Sequence, residues 1–483
     1  MLVNELSPKE VFFYFEELSK IPRGSGNTVA VGDYCLEFAK QHNLKARKDA
    51  AGNVVIFKEG SKGYEEKDAV ILQGHLDMVC EKETGCEIDM SRESIRLCTD
   101  GEKLWADGTT LGADDGIAVA YVLAILASDT IAHPPIQAVL TNDEEIGMLG
   151  ARDLDTEGLT AKRLINLDSE SEGIIYVSCA GGVRANCRVP VSFEACNKET
   201  ASVFDFAVSG LEGGHSGIEI HKGHTNAIKL LASILIEAAQ CTEIRLIDLN
   251  GGGKDNVIPK EANAKLLVKA AEKEKFLACM EENIVLWMQA IQEAEPNAKL
   301  ELKESSAEVN KALDPVSTEN ALFALQMSPD GVYKMSRDIE GMVQTSLNLG
   351  MASLETDSLV YGYLIRSNTA AYKELLIKRV ETFVSHLSGS VETRSDYPAW
   401  EYKKDSELRE ICISSFLKVY GYEPEVTSIH AGLECGILSG KLPRVDMISF
   451  GPTLKGVHTP DECMDVASAK RTWEYLLEIL KDM

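Results

Sequence analysis

The chain has 483 residues, with 49 Lys+Arg against 76 Asp+Glu and a net charge of −27. At roughly 150 residues per domain, that length makes two or three domains, and 45% hydrophobic with 26% charged residues is the composition of a globular protein that folds in water. The acidic surplus excludes nucleic acid and anionic membrane as partners, because both require a basic surface.

The N-terminus carries Glu5, Lys9 and Glu10 where a signal peptide needs an unbroken apolar run, so no targeting segment is expected and the protein is read as cytoplasmic. Ser7-Pro8-Lys9-Glu10 reads as a capping box with Ser7 at the N-cap. Twelve cysteines lie scattered without a C-x-x-C pair, which argues against a structural zinc site and predicts reduced thiols. The longest apolar run, 117–127, is too short to span a bilayer.

Residues 68–75 form a buried-strand pattern, a continuous apolar run ending in polar residues. Residues 116–127 follow as a helix apolar nearly all round, then 136–141 and 164–168 as further strands. That succession predicts an α/β sheet with helices on its faces. The middle changes character. Strands are expected near 202–210, 243–249 and 262–268, with helices over 225–239 and 271–295. A similar order recurs after 320, with strands at 345–354 and 359–367 and a helix over 370–387. Residues 188–392 are therefore read as an inserted α+β domain of two βαββ-like halves. Residues 1–187 and 393–483 form one split α/β domain, to which the chain returns through a helix at 407–420, a strand at 445–450 and a closing helix at 467–481.

The acids and histidines gather just past the apolar strands. His75 and Asp77 end the first strand, Asp114-Asp115 precede the buried helix, Glu144-Glu145 end the second strand, Asp168 ends the third, and His458 follows the last. Ligands bind at the carboxyl ends of strands in open α/β sheets. Carboxylates that converge there lose hydration and repel one another, so they need cations. Two histidines and three carboxylates suit two Zn²⁺ ions, one carboxylate bridging, with a water held between them; Mn²⁺ or Co²⁺ would fit the same ligands. Residues two apart on a strand face the same way, so Asp77 can lie behind His75 and orient its ring. Adjacent Glu144 and Glu145 cannot share one direction: one can bind metal while the other acts as general base.

These residues resemble the zinc aminopeptidase-like metallopeptidases, a family of aminoacylases, glutamate carboxypeptidases and bacterial dipeptidases. His75-Leu-Asp77, Gly112-Ala-Asp114-Asp115-Gly116, Glu144-Glu145, Asp168 and His458 carry the likeness. Gly213-Gly-His215-Ser-Gly217, Asn256-Val-Ile-Pro259 and His430-Ala-Gly-Leu-Glu434 are similar to its branch that cleaves aminoacyl-histidine (carnosine-like) dipeptides. The resemblance implies an aminopeptidase-like catalytic domain with a mixed sheet, and an inserted lid domain. It implies that Asp114 bridges two Zn²⁺ ions, that His75 and Asp168 complete one site and Glu145 and His458 the other. Glu144 would be the general base and Asp77 the orienting acid. In the lid, His215 would polarise the scissile carbonyl, and Asn256 and Arg366 would hold the substrate carboxylate. A cis peptide between Asp114 and Asp115 is also implied. An N-acyl amino-acid deacylase, a carboxypeptidase and an inactive peptide-binding protein stay open as alternatives, as do monomer against homodimer and the roles of His430 and Glu434.

Overall fold

A computed structural model describes residues 3–196 and 200–483. The chain folds as two compact units: one holds Met1–Cys179, Trp400–Ser428 and Leu433–Met483, the other Ala180–Ala399 and Ile429–Gly432.

The first unit is built on a mixed sheet. Among the described residues it has eight strands, in the order Lys45–Lys48, Val54–Lys58, Ile136–Thr141, Val70–His75, Arg163–Asn166, Asp446–Ser449, Ile174–Cys179 and Glu425–Ile429. The central four run parallel. Val70–His75 and Ile136–Thr141 are buried at every position, as strands covered on both faces must be. The helix Ala113–Ala127 is also buried almost all round. Its first turn is irregular: Asp114 (φ −80°, ψ 109°) and Asp115 (φ −112°, ψ 34°) lie outside helical geometry, and the peptide between them is cis. Because the central strands are parallel, their carboxyl ends come out on one edge of the sheet, and the loops that leave them carry the acids and histidines.

The second unit centres on a nine-stranded antiparallel sheet, again among the described residues. Its first half runs strand Ala201–Ser209, helix Ala227–Cys241, strands Ile244–Gly252 and Ala262–Lys269, helix Lys273–Ile291 and strand Lys299–Glu304. The other half repeats this plan with Gly181–Pro190, Pro315–Met327, Val343–Leu354, Ser358–Ser367, Ala370–His386 and Ser390–Tyr397. The strand order across the sheet is the same in each half when read from the edge inward. The halves meet where Asn250, Gly251 and Gly252 pair with Ser353, Ala352 and Met351. Each half thus extends the expected βαββ pattern by a helix and an edge strand. Phe204, Phe206, Leu231, Leu349, Tyr361 and Tyr363 share one core.

Two local expectations are corrected. The first helix starts at Lys9, with Pro8 at the N-cap and no side-chain cap. Pro8, not Ser7, supplies the first helical carbonyl, to Phe12 N. Cysteine pairing is the other: Cys241 and Cys279, separated by 38 residues, form a disulfide with Cα atoms 6.6 Å apart. They end and line two helices packed side by side, a proximity for which the sequence carries no local signature. The remaining ten cysteines are free.

Candidate metal centre

In the first unit, four strand ends and the turn before the buried helix converge. His75, the last residue of its strand, points Nε2 at Asp114 Oδ1, 3.1 Å away, and lies 3.8 Å from Asp168 Oδ1. Asp114 Oδ2 lies 3.1 Å from His458 Nε2, which is also 2.9 Å from Glu145 Oε1. The two oxygens of Asp114 therefore face two different histidines, each with a further carboxylate beside it. His75, Asp114 and Glu145 offer ligand atoms all within 4.8 Å of one another, and so do His75, Asp115 and Asp168.

Asp77 is wholly buried behind His75. One carboxylate oxygen lies 3.4 Å from His75 Nδ1. The same carboxylate accepts the backbone N–H groups of Glu144 at 3.0 Å and Glu145 at 3.3 Å, and the Ser25 hydroxyl at 2.8 Å. Asp77 thus fixes both the imidazole and the start of the Glu144-Glu145 loop. Asp115 accepts the backbone N–H of His75 at 3.1 Å. A Cβ on Gly74 would lie 2.5 Å from that Asp115 oxygen, so glycine is what lets the carboxylate reach the strand.

The electrostatics are those of crowded acids. Burial pushes Asp168 and Asp115 well above the usual carboxylate range, and neighbouring acids add to it. Burial also pushes Glu144 up to about 8, with Glu434, Glu145 and Asp114 adding to the effect and His75 opposing it. Burial disfavours charge on His75, but hydrogen bonds to Asp114 and Asp77 outweigh it and raise its proton affinity. Hydrogen bonds to Asp114 and Glu145 raise His458 to about 10. An imidazolium held between carboxylates occupies the position that a cation would take. Two nitrogens, several hard oxygens and no thiolate make a donor set for Zn²⁺, Mn²⁺ or Co²⁺.

The second unit holds two imidazoles near one buried guanidinium. His215 lies in a two-residue strand paired with Val257, beside Asn256. Its Nδ1 accepts the N–H groups of Gly217 and Ile218, both at 3.3 Å, which puts the proton of the neutral ring on Nε2. Burial and the nearby Arg366 lower its proton affinity. Arg366 is 6% exposed, yet its Nε has no partner among the described residues. Its one side-chain hydrogen bond among the described residues runs to the Tyr397 hydroxyl at 3.1 Å. His430 is buried against Ser346 Oγ, 2.8 Å from its Nε2. Burial, with Arg366 and His221 nearby, pushes His430 down to about 3.

Four polar residues around the first unit's site lie outside the sequence reading's assignments. Glu434, wholly buried at the start of the helix Glu434–Lys441, accepts from Thr141 Oγ1 at 2.7 Å and from Gln73 Nε2. Ser25, Arg23 and Glu462 were not singled out at all. None belongs to a motif of its own; Glu462 is signalled only by standing four residues after His458.

Fold and site together define a class. The model of Peptidase family M20/M25/M40 matches residues 71–482, and the chain belongs to this family of metallopeptidases. It is similar to the cytosol non-specific dipeptidase of Escherichia coli (strain K12), with 35% identity over 481 residues, covering 100% of this chain and 99% of the relative. The crystal structure of aminoacylhistidine dipeptidase from Vibrio alginolyticus superposes with a TM-score of 0.94 at 34% identity, covering 100% of this chain and 98% of that one. Aminopeptidase PepT from Bacillus cereus, at 15% identity and a TM-score of 0.57 over 99% of both chains, shares the fold.

Proposed function

We propose that the chain is a cytoplasmic di-zinc dipeptidase that hydrolyses dipeptides, Xaa-His (carnosine-like) dipeptides among them. One observation carries this reading: Asp114 presents its two oxygens at 3.1 Å to two separate histidines, the arrangement of a bridging ligand. His75 and Asp168 would hold one ion, and Glu145 and His458 the other. The choice of dipeptides is supported by the names of the two full-length relatives, one a cytosol non-specific dipeptidase and one an aminoacylhistidine dipeptidase. The cytoplasmic location is supported by the name of the former, and no helix among the described residues is long and apolar enough to cross a membrane.

Bound there, divalent ions would polarise the scissile carbonyl and acidify the attacking water. Glu144 accepts the proton from that water and returns it to the leaving amine. Asp77 holds His75 by its Nδ1 side and fixes where Nε2 points. His215 donates from Nε2 to the oxygen that gains charge as the carbonyl is attacked. Arg366, buried without an acidic partner among the described residues, takes the terminal carboxylate of the dipeptide, with Asn256 as a second donor.

The test is a panel of carnosine, other Xaa-His dipeptides, unrelated dipeptides and N-acetyl amino acids, assayed with and without chelator. Hydrolysis of dipeptides that stops on chelation and returns with Zn²⁺ is expected. Cleavage of N-acetyl amino acids alone would replace the dipeptidase reading. Glu144→Ala should lower kcat by about 10²–10⁴-fold with Zn²⁺ content unchanged. An active, fully loaded variant would remove Glu144 from its role.

A further inference from the structure

The turn that carries Asp114 is held from outside the ligand set by two buried, oppositely charged side chains. Glu462 is 2% exposed. One of its oxygens accepts the backbone N–H groups of Leu111 at 2.8 Å and Gly112 at 3.0 Å. The other accepts those of Ala113 at 2.8 Å and Asp114 at 3.4 Å. A single carboxylate thus satisfies four consecutive N–H groups of the turn. Glu462 also donates its own backbone N–H to the Thr459 carbonyl at 3.0 Å, so the residue that binds the turn is itself held in the loop that carries His458.

Arg23, also 2% exposed, grips the turn from its other side. Its Nη1 donates to the carbonyls of Leu76 and Asp77, both at 3.0 Å, and its Nη2 donates to the carbonyl of Gly112. Those are the residues that follow His75. Room for the guanidinium comes from two glycines. A Cβ would stand 2.6 Å from Arg23 Nη2 at Gly112, whose φ is +67°, and 2.5 Å from it at Gly116. The Asp114 turn is therefore tied to the His75 strand end by Arg23 and to the His458 loop by Glu462, without either residue reaching a ligand atom.

We propose that Glu462, with Arg23 opposite it, is a positioning residue for the bridging carboxylate, holding Asp114 in its two-sided orientation before any ion arrives. A buried carboxylate that receives four N–H groups is costly to leave unfilled and costly to displace, so the turn has one favoured conformation. Ligands fixed this way release metal slowly, and loss of such an outer partner costs about 10–100-fold in metal affinity. The inference rests on the proposed metal site but is tested apart from it.

The experiment uses the full chain, purified and loaded with Zn²⁺. Release of Zn²⁺ into excess chelator is followed for wild type, Glu462→Gln and Arg23→Lys, and folding is checked by circular dichroism. Release about 10–100-fold faster from folded Glu462→Gln is expected, with a smaller acceleration in Arg23→Lys. Release within twofold of wild type in both folded variants overturns the proposal. The second readout does not depend on the variants folding. Amide exchange over 111–114 in the wild-type chain, stripped with EDTA, should stay as slow as in the loaded chain. Fast exchange there, slowed only by Zn²⁺, would show that the ion and not Glu462 orders the turn. A wild-type chain that binds no Zn²⁺ would defeat the metal reading instead, and slow exchange over 111–114 would still support the anchoring.

Discussion

The two units solve opposite charge problems. The first concentrates acids: Asp77, Asp114, Asp115, Glu144, Glu145 and Asp168 lie close together, and each described contact spends a backbone N–H, a hydroxyl or an imidazole to tolerate them. The second gathers neutral imidazoles near a single guanidinium, that of Arg366, which is buried and whose Nε has no partner among the described residues. Uncompensated buried charge is destabilising and persists where something else completes it. The acids of the first unit point to cations. The guanidinium of the second points to an anionic group on a substrate.

The largest expected effect strikes the acidic side. Asp114→Ala should abolish the two-sided arrangement, cut kcat by at least about 10³-fold and lower bound Zn²⁺, measured by metal analysis of the purified variant. Retained metal at wild-type stoichiometry would mean that Asp114 does not bridge. Next comes the cationic side. Arg366→Lys keeps the charge but loses the planar fork, and should reduce kcat/KM by about 10–100-fold, mainly through KM. The loss should shrink for a dipeptide amide, which has no carboxylate to bind; an equal loss on both substrates would contradict the assignment.

Smaller effects test stability in the second unit. Burial, with Arg366 and His221 nearby, pushes His430 down to about 3 in the folded chain, against about 6.5 in the unfolded chain. Between those values the unfolded chain takes up the proton and the folded chain does not, so stability falls as pH drops below about 6.5. The contribution reaches about 2 kcal/mol by pH 5. Urea midpoints of His430→Asn should therefore fall less steeply than wild type from pH 7 to pH 5, and parallel slopes would show that His430 is not the sensitive group. The smallest expected effect belongs to Lys229. Its ammonium donates to the carbonyls of Leu325 at 2.8 Å, Gln326 at 2.5 Å and Ser328 at 2.7 Å, which end the helix Pro315–Met327. Lys229→Met should cost about 1–2 kcal/mol, read by thermal unfolding, without moving kcat.

The same contrast explains what the sequence made legible. Buried parallel strands announce themselves as apolar runs, so the expected strand at 136–141 has the observed bounds Ile136–Thr141, and the acids at the strand ends stand out against them. The helix at 407–420 was equally plain, with observed bounds Glu407–Tyr420. The supporting residues were not. Arg23 lies some fifty residues before the strand end that it grips, and Glu462 lies about 350 residues after the turn that it holds. Nothing local marks a residue whose partners are backbone atoms far along the chain. The Ser7 cap failed for the opposite reason: the local pattern was present, but the chain begins its helical hydrogen bonds one residue later.

The repeated plan of the second unit has a consequence for how the protein behaves at high concentration. Because each half places its last strand outermost, the two margins of the sheet among the described residues, Lys299–Glu304 and Ser390–Tyr397, are equivalent. A free margin invites a neighbouring molecule to add a strand. Both carry mixed charges and are largely exposed: Lys299, Glu301, Lys303 and Glu304 on one, Glu392, Arg394 and Asp396 on the other. Joining the halves through Ile244–Gly252 and Val343–Leu354 covers one margin of each and leaves one of each outermost, and each of those carries its own electrostatic fence against fibrous stacking.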